Sequence, residues 1–320
     1  MSKNSKNRDR TRKRKGKGLK VFFLLMCLIG LLFLGNHLLN QQIFVTVYEI
    51  EDEKIPEAFD GYRIAQVTDV HSIRSVDQAD YLYAKITEQN PDAVVITGDL
   101  VDSKYYTQEQ NDLETGVSDK MPGQDTLDFV KRLTEKYYVY FVYGNHEMVL
   151  LDDVDNNPFK VAMEDMGVIF LNNTGVEISK DEESIYLLGI QDPATLYKDS
   201  DYVEYDTHSE RINAMMTEVV SLKEENFYTI VLSHRPEYFK EYVKYDVDLL
   251  LTGHAHGGQV RLPFIGGLYA PGQGFFPEYT NGLLEQDSTS MIIGRGIGNS
   301  VEIPRIFNPP EINMIILKSQ

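Results

Sequence analysis

The chain has 320 residues, 42% hydrophobic and 25% charged, with a formal net charge of -18; this is the composition of a globular chain long enough for one sizeable core. The charge is uneven: residues 1–20 hold ten Lys or Arg against one acid, Asp9, a net +9, so residues 21–320 carry -27. An acidic body without a basic stripe excludes a nucleic-acid polymer as partner, and a single cysteine, Cys27, excludes both a disulfide and a thiolate metal site in the remainder of the chain.

Residues 1–20 read as a basic cytoplasmic tail. From Val21 to Leu34 every residue except Gly30 is apolar, and the run extends to Leu39, so residues 21–39 are expected to form one transmembrane anchor. The basic block directly before the run places the N-terminus in the cytoplasm and the rest outside. No small-x-small cleavage pattern follows the run, which argues for an uncleaved anchor over a secretory signal. Residues 40–58, interrupted by Glu51, Asp52, Glu53, Lys54 and Pro56, are expected to be a linker, with the domain spanning 59–320.

Short apolar runs then recur with strand length: Arg63 to Thr68, Ala93 to Thr97, Tyr137 to Tyr143, Val168 to Leu171, Ile185 to Ile190, Tyr228 to Leu232, Val247 to Leu251, Ser290 to Ile293 and Ile312 to Leu317. Helical patterns lie at Asp77 to Glu88, Thr126 to Thr134, Pro158 to Met166, Glu210 to Leu222 and Glu237 to Tyr242. The alternation predicts a layered α/β domain. Residues 103–125 are polar and acidic and read as an insertion loop, either solvated or a substrate lid. Gln259 to Phe276 is unusually apolar; the reading is a packed cavity wall or, alternatively, a contact with lipid.

Five short motifs follow five of these strands: Asp69-Val70-His71, Gly98-Asp99-Leu100-Val101-Asp102, Gly144-Asn145-His146-Glu147, Ser233-His234 and Gly253-His254-Ala255-His256. They contain five of the seven histidines. Alternate residues of an extended chain point the same way, so Asp69 with His71, and His254 with His256, can each aim two ligands into one cavity. Glycine before Asp99, Asn145 and His254 permits close backbone approach. Carboxylate and amide oxygens mixed with imidazoles suit Mn, Fe or Zn. His37 and His208 fall outside the motifs and read as structural.

In this order the motifs resemble the calcineurin-like metallophosphoesterase superfamily, D-x-H, GD-x-x-D, GNH-[DE], H and GH-x-H, over roughly residues 60 to 317. Tyr62-Arg63-Ile64-Ala65-Gln66, Ser233-His234-Arg235-Pro236, Gly253-His254-Ala255-His256-Gly257-Gly258-Gln259 and Gly294-Arg295-Gly296-Ile297-Gly298 are similar to its membrane-anchored bacterial phosphodiesterase branch, which includes enzymes cleaving the pyrophosphate of a UDP-linked diacylglucosamine. The resemblance implies a four-layer α/β/β/α sandwich. It implies one divalent metal on Asp69, His71 and His256, a second on Asn145, His234 and His254, and Asp99 bridging them. It implies His146 as the catalytic imidazole, donating to the phosphoryl oxygen or the leaving group, with Asp102 holding its other ring nitrogen. Protein phosphatases of the superfamily continue GD-x-x-D with Arg-Gly; here Ser103 and Lys104 follow, which disfavours that branch.

Two divalent ions against the carboxylates of Asp69 and Asp99 and one hydroxide leave a net positive site for a phosphoryl group, and metal coordination brings water to a pKa of about 7. The reading is therefore a dinuclear metal-dependent phosphodiesterase acting on a membrane lipid or small cell-envelope phosphoester. A phosphomonoesterase and a non-catalytic anchored binding protein are the alternatives, and the oligomeric state stays open.

Overall fold

The computed structural model describes the backbone of residues 3–150, 157–195, 207–299 and 303–320, with side chains from residue 20 onward apart from residues 21 and 195. Contacts divide the chain into two compact units, Met1–Gln42 and Ile43–Gln320. The first is a single helix, α1 (Lys3–Asn40), whose stretch Phe22–Asn40 has 19 residues and a mean hydropathy of 2.2, long and apolar enough to cross a membrane.

The second unit runs β1 (Phe44–Asp52), β2 (Arg63–Val67), α2 (Val76–Thr87), β3 (Ala93–Thr97), α3 (Ser103–Glu114), α4 (Gln124–Thr134), β4 (Tyr138–Val142), α5 (Asn145–Leu150), α6 (Pro158–Asp165), β5 (Ile169–Phe170), β6 (Thr174–Lys180) and β7 (Glu183–Gly189). It continues through α7 (His208–Val220), β8 (Thr229–Leu232), α8 (Phe239–Tyr242), β9 (Leu249–Thr252), β10 (Arg261–Leu262), β11 (Gly266–Gly267), β12 (Tyr269–Ala270), β13 (Gly274–Phe275), β14 (Gly282–Gln286), β15 (Thr289–Ile293) and β16 (Glu311–Ser319). One sheet has the order β1-β16-β2-β3-β4-β5 and the other β14-β15-β9-β8-β7-β6. Within each, the strands that precede the motifs run parallel: β2, β3 and β4 in the first, β8 and β9 in the second.

The period-2 alternation of the strands sorts their side chains into three cores. Ile64, Val95, Val142, Leu187, Ile230 and Leu251 lie between the sheets. Val67, Val94 and Ile96 face outward against Leu82 of α2 and Phe129 of α4, while Leu188, Val231 and Leu250 face Ile212 and Met216 of α7. Helix, sheet, sheet and helix thus form the four layers of an α/β/β/α sandwich. The sheets are also tied by a buried polar chain near the motifs: Asn313 Nδ2 donates to Gln66 Oε1 (2.9 Å), and Gln66 Nε2 donates to the Thr252 carbonyl across the interface (2.8 Å).

Three segments differ from the sequence reading. Residues 40–58, expected to be a linker, contain β1, which pairs in parallel with β16 over nine residues; its acidic end lies on an exposed edge, which hid the strand pattern. Residues 103–125, expected to be a loop, hold α3, a helix with only Tyr106 buried, so no apolar stripe marks it. Gln259 to Phe276 does not form a packed wall: several of its large apolar side chains face solvent.

Candidate dinuclear metal centre

All five motifs sit where a parallel strand ends, three on the first sheet and two on the second, so their side chains meet at one common edge of the sandwich. The chain turns sharply there. A Cβ on Gly98 would fall 2.5 Å from His234 Nδ1, one on Gly144 would collide with Asp99, and one on Gly253 with Thr68. The three glycines before the polar residues are therefore sterically required at the seam between the sheets.

Two clusters form. Ligand atoms of Asp69, His71 and His256 lie within 4.8 Å of one another, as do those of Asp99, His234 and His254, and all six residues are buried. In the first, His256 Nε2 is 3.4 Å from Asp69 Oδ1 and 3.1 Å from His71 Nε2. In the second, His234 Nε2 is 3.2 Å from Asp99 Oδ2 and 3.1 Å from His254 Nδ1. Asp99 Oδ2 also lies 3.9 Å from His71 Nε2, so this one oxygen faces both clusters. Asn145 Oδ1 is buried and accepts no hydrogen bond. His71, Asp102 and His146 meet the same distance limit, but that group shares His71 with the first cluster, and His146 Nδ1 is already engaged.

The donors fit divalent cations. The Thr97 carbonyl accepts from His234 Nδ1 (2.8 Å), which turns the Nε2 lone pair toward Asp99. Asp69 is oriented by the Thr68 hydroxyl (2.8 Å) and the His254 N–H (3.0 Å). The electrostatics of the protein's own groups are consistent with a cation-binding site. Burial raises the Asp69 carboxyl to about 6 and lowers His71 to about 4. At His234 burial acts downward, yet the Asp99 carboxylate outweighs it and raises the imidazole to about 10. A positive charge is demanded beside Asp99, and the orphaned Asn145 oxygen is an acceptor that a cation would satisfy.

The expected contact between Asp102 and His146 is not made. Asp102 Oδ1 accepts from the Tyr105 N–H (2.9 Å) and caps α3, and its Oδ2 lies 3.9 Å from His71 Nδ1. It is the Ser103 N–H that donates to His146 Nδ1 (3.0 Å). A ring nitrogen that accepts from an amide carries no proton, so neutral His146 holds its proton on Nε2, 4.0 Å from Asp99 Oδ2. The two histidines outside the motifs have partners of their own: His208 Nδ1 meets the Tyr238 hydroxyl (3.1 Å), and within the first unit His37 meets Gln41 (3.0 Å).

Three supporting residues had no role in the sequence reading. Glu147, fully buried, accepts from the N–H groups of Asp99 (2.9 Å), Gly144 (2.9 Å) and Val101 (3.1 Å), clamping two motif loops together. Arg235 pairs in bidentate fashion with Asp192 (2.6 and 3.2 Å) and reaches Glu237 (3.3 Å) beside His254. Arg305, buried, places Nη2 3.3 Å from His256 Nδ1 while donating to the carbonyls of Gly298 and Arg295. Glu147 and Arg235 carried a signal through their places in quoted motifs, whereas Arg305 carried none.

Residues 62–258 match the calcineurin-like phosphoesterase family model. The chain is 26% identical over 288 residues to the Bacillus subtilis (strain 168) metallophosphoesterase YkuE, covering 89% of each, and 24% identical over 318 residues to the UDP-2,3-diacylglucosamine pyrophosphatase LpxG of Chlamydia muridarum, covering 82% of this chain and 86% of that one. Among solved structures it is similar to a dimetal phosphatase from Danio rerio, at 11% identity and a TM-score of 0.43 over 74% of this chain and 88% of that one. With the motifs gathered on one edge of an α/β/β/α sandwich and a family model covering well over half its length, the chain belongs to the calcineurin-like phosphoesterases.

Proposed function

We propose that this chain is a dinuclear metal-dependent phosphodiesterase, held at the membrane by α1, that hydrolyses a lipid or cell-envelope phosphoester. The observation that carries the reading is the pair of buried Asp/His clusters sharing Asp99 Oδ2. Asp69, His71 and His256 would hold one divalent ion, Asn145, His234 and His254 the other, with Asp99 between them; Mn, Zn or Fe suits these donors. Ions held there supply the Lewis acidity that makes water nucleophilic near neutral pH. The protein contributes the rest. His146 presents Nε2–H to the phosphoryl oxygen, and the Ser103 amide keeps that proton in place. Neutral His146 acts as a hydrogen-bond donor, since giving up its only ring proton would leave an imidazolate next to the Asp99 carboxylate.

Support for a lipid-linked substrate comes from two sides: the apolar stretch Phe22–Asn40 with a basic block before it, which favours a cytoplasmic N-terminus and an external domain, and the similarity to a pyrophosphatase acting on UDP-2,3-diacylglucosamine. The test is to purify the full chain in detergent and measure bound metal and turnover of soluble and lipid phosphodiesters. Asp99→Asn is expected to abolish turnover and lower the bound metal from two ions. His146→Ala is expected to keep both ions and lose at least roughly 100-fold in kcat, the scale of one transition-state hydrogen-bond donor. Full activity in either variant overturns the assignment.

A further inference from the structure

The segment Leu262–Pro277 contains no charged residue, although a quarter of the chain is charged. With Arg261, which begins β10 and donates from Nη1 to the Gly257 carbonyl (2.7 Å), it forms two small hairpins, β10 with β11 and β12 with β13. Its large side chains face outward: Phe264, Ile265, Tyr269, Phe275 and Phe276 are all exposed, Phe264 completely so at 109%. Phe264 and Phe276 also adopt φ of 68° and 55°, a conformation costly for bulky residues, and neither ring gains burial in the domain from that strain. Tyr269 and Phe275 pair across the second hairpin with ring centroids 5.5 Å apart, which stiffens the ridge.

The ridge is built onto the metal centre. Gly258 and Gly267 meet backbone to backbone, a Cβ on Gly258 lying 2.5 Å from the Gly267 Cα, and the Leu268 N–H donates to the carbonyls of Gly258 (3.1 Å) and Val260 (2.8 Å). The hairpins therefore sit on the turn His256–Gly258, next to a residue of the first cluster.

We propose that this aromatic ridge is a membrane-docking surface that inserts into the lipid leaflet beside which the domain is tethered, bringing the rim of the metal centre to the headgroup layer. The inference rests on the proposed anchor and deepens it, since it assigns the site a phosphoester presented at the bilayer surface. Lipid is the occupant for two reasons. An uncharged, aromatic protrusion loses no charge solvation on entering the headgroup and acyl boundary, where aromatic side chains are favoured. Only residues 41–43 separate Asn40, the end of α1, from Phe44, the start of β1, and the four backbone steps between them reach no farther than about 14 Å; the tether keeps lipid at high effective concentration, so a few apolar side chains suffice to hold the ridge down.

The chain contains no Trp, so Phe264→Trp and Phe276→Trp, made singly in the full-length protein, each introduce one emitting indole. Each is reconstituted into phosphatidylcholine/phosphatidylglycerol vesicles with and without acyl-brominated lipid, alongside Tyr138→Trp as a control; Tyr138 is 68% exposed at the start of β4, the strand end opposite the centre. Flotation reports the anchor and emission reports the ridge. The expected result is a blue shift and roughly twofold or greater bromolipid quenching at 264 and 276, the behaviour of side chains at the acyl boundary, with neither at 138. Indoles that float with the vesicles yet emit as in water overturn the docking surface and leave the anchor standing. A blue shift without bromolipid quenching means that protein covers the ridge, and also overturns it. A chain that does not float overturns anchor and docking together. Hydrolysis of a soluble diester by the same variants reports the phosphoesterase reading separately, because no readout above depends on turnover.

Discussion

Asp69, His71, Asp99, His254 and His256 all hold positive φ, between 47° and 64°. Left-handed backbone is uncommon outside glycine, and each such residue costs of order 1–3 kcal/mol unless its surroundings impose it. Most of the candidate ligands thus sit on strained turns that only a folded framework maintains, and Glu147 is a principal part of it. Glu147→Gln would place an amide nitrogen against backbone N–H donors; we expect a loss of about 1–3 kcal/mol in stability and roughly 10- to 100-fold weaker metal binding, measured by urea unfolding and metal titration. His234 gives a pH prediction. Its folded value of about 10 exceeds the ordinary 6.5, so the stability it contributes to the metal-free protein is complete below pH 6.5 and is lost as pH rises through 10. The urea midpoint of the chelator-treated chain should fall between pH 7 and 10, and this fall should vanish when metal is restored, because a ligating imidazole is neutral throughout. The motif residues were legible in the sequence because their chemistry is local: Asp-x-His and Gly-His-x-His place donors within a few residues of each other. Ser103 and Arg305 were not, since their contacts with His146 and His256 join segments far apart along the chain.

At the scale of elements, the strands that bury both faces announced themselves as apolar runs; Ala93–Thr97 was read with the observed bounds. The elements that escaped include ones whose burial is slight or whose apolar pattern is mixed. β6 and β14 are outer strands of the second sheet with mixed patterns, β1 alternates weakly on the edge of the first, and α3 buries a single residue. The short α5 starts at Asn145 itself, inside one of the five motifs, where no helical pattern was read. α3 nevertheless matters, because its cap Asp102 precedes the amide that fixes His146. Asp102→Ala should remove the cap at a cost of about 1 kcal/mol and lower kcat through His146, whereas Asp102→Asn, an equally good cap, should retain most of both. Thermal unfolding and kinetics on the two variants check this; equal loss in both would mean that the carboxylate charge beside His71 is what counts.

For the molecule as a whole, the two sheets share the centre, with Asp69, Asp99 and Asn145 from one and His234, His254 and His256 from the other. Metal binding should therefore stabilise the entire sandwich and not one motif. At free metal about 100-fold above Kd the gain is about 2.7 kcal/mol, a rise of roughly 5–10 °C in Tm for a domain of this size. Differential scanning calorimetry of chelator-treated protein before and after adding Mn or Zn measures it, and a Tm that does not move would place the metals outside the folding unit.

The sequence by itself determined the family motifs, the fold class and the apolar segment near the N-terminus, because residue types, motif order and hydrophobic runs are properties of neighbouring residues. Tertiary structure alone decided which sheet supplies which candidate ligand, that Asp99 faces both clusters, that the Ser103 amide and not Asp102 meets His146, and that Leu262–Pro277 projects its aromatic side chains instead of burying them. Each of these depends on where separate strands end relative to one another, a relation that is set by the packing of the two sheets and has no counterpart in the spacing of residues along the chain.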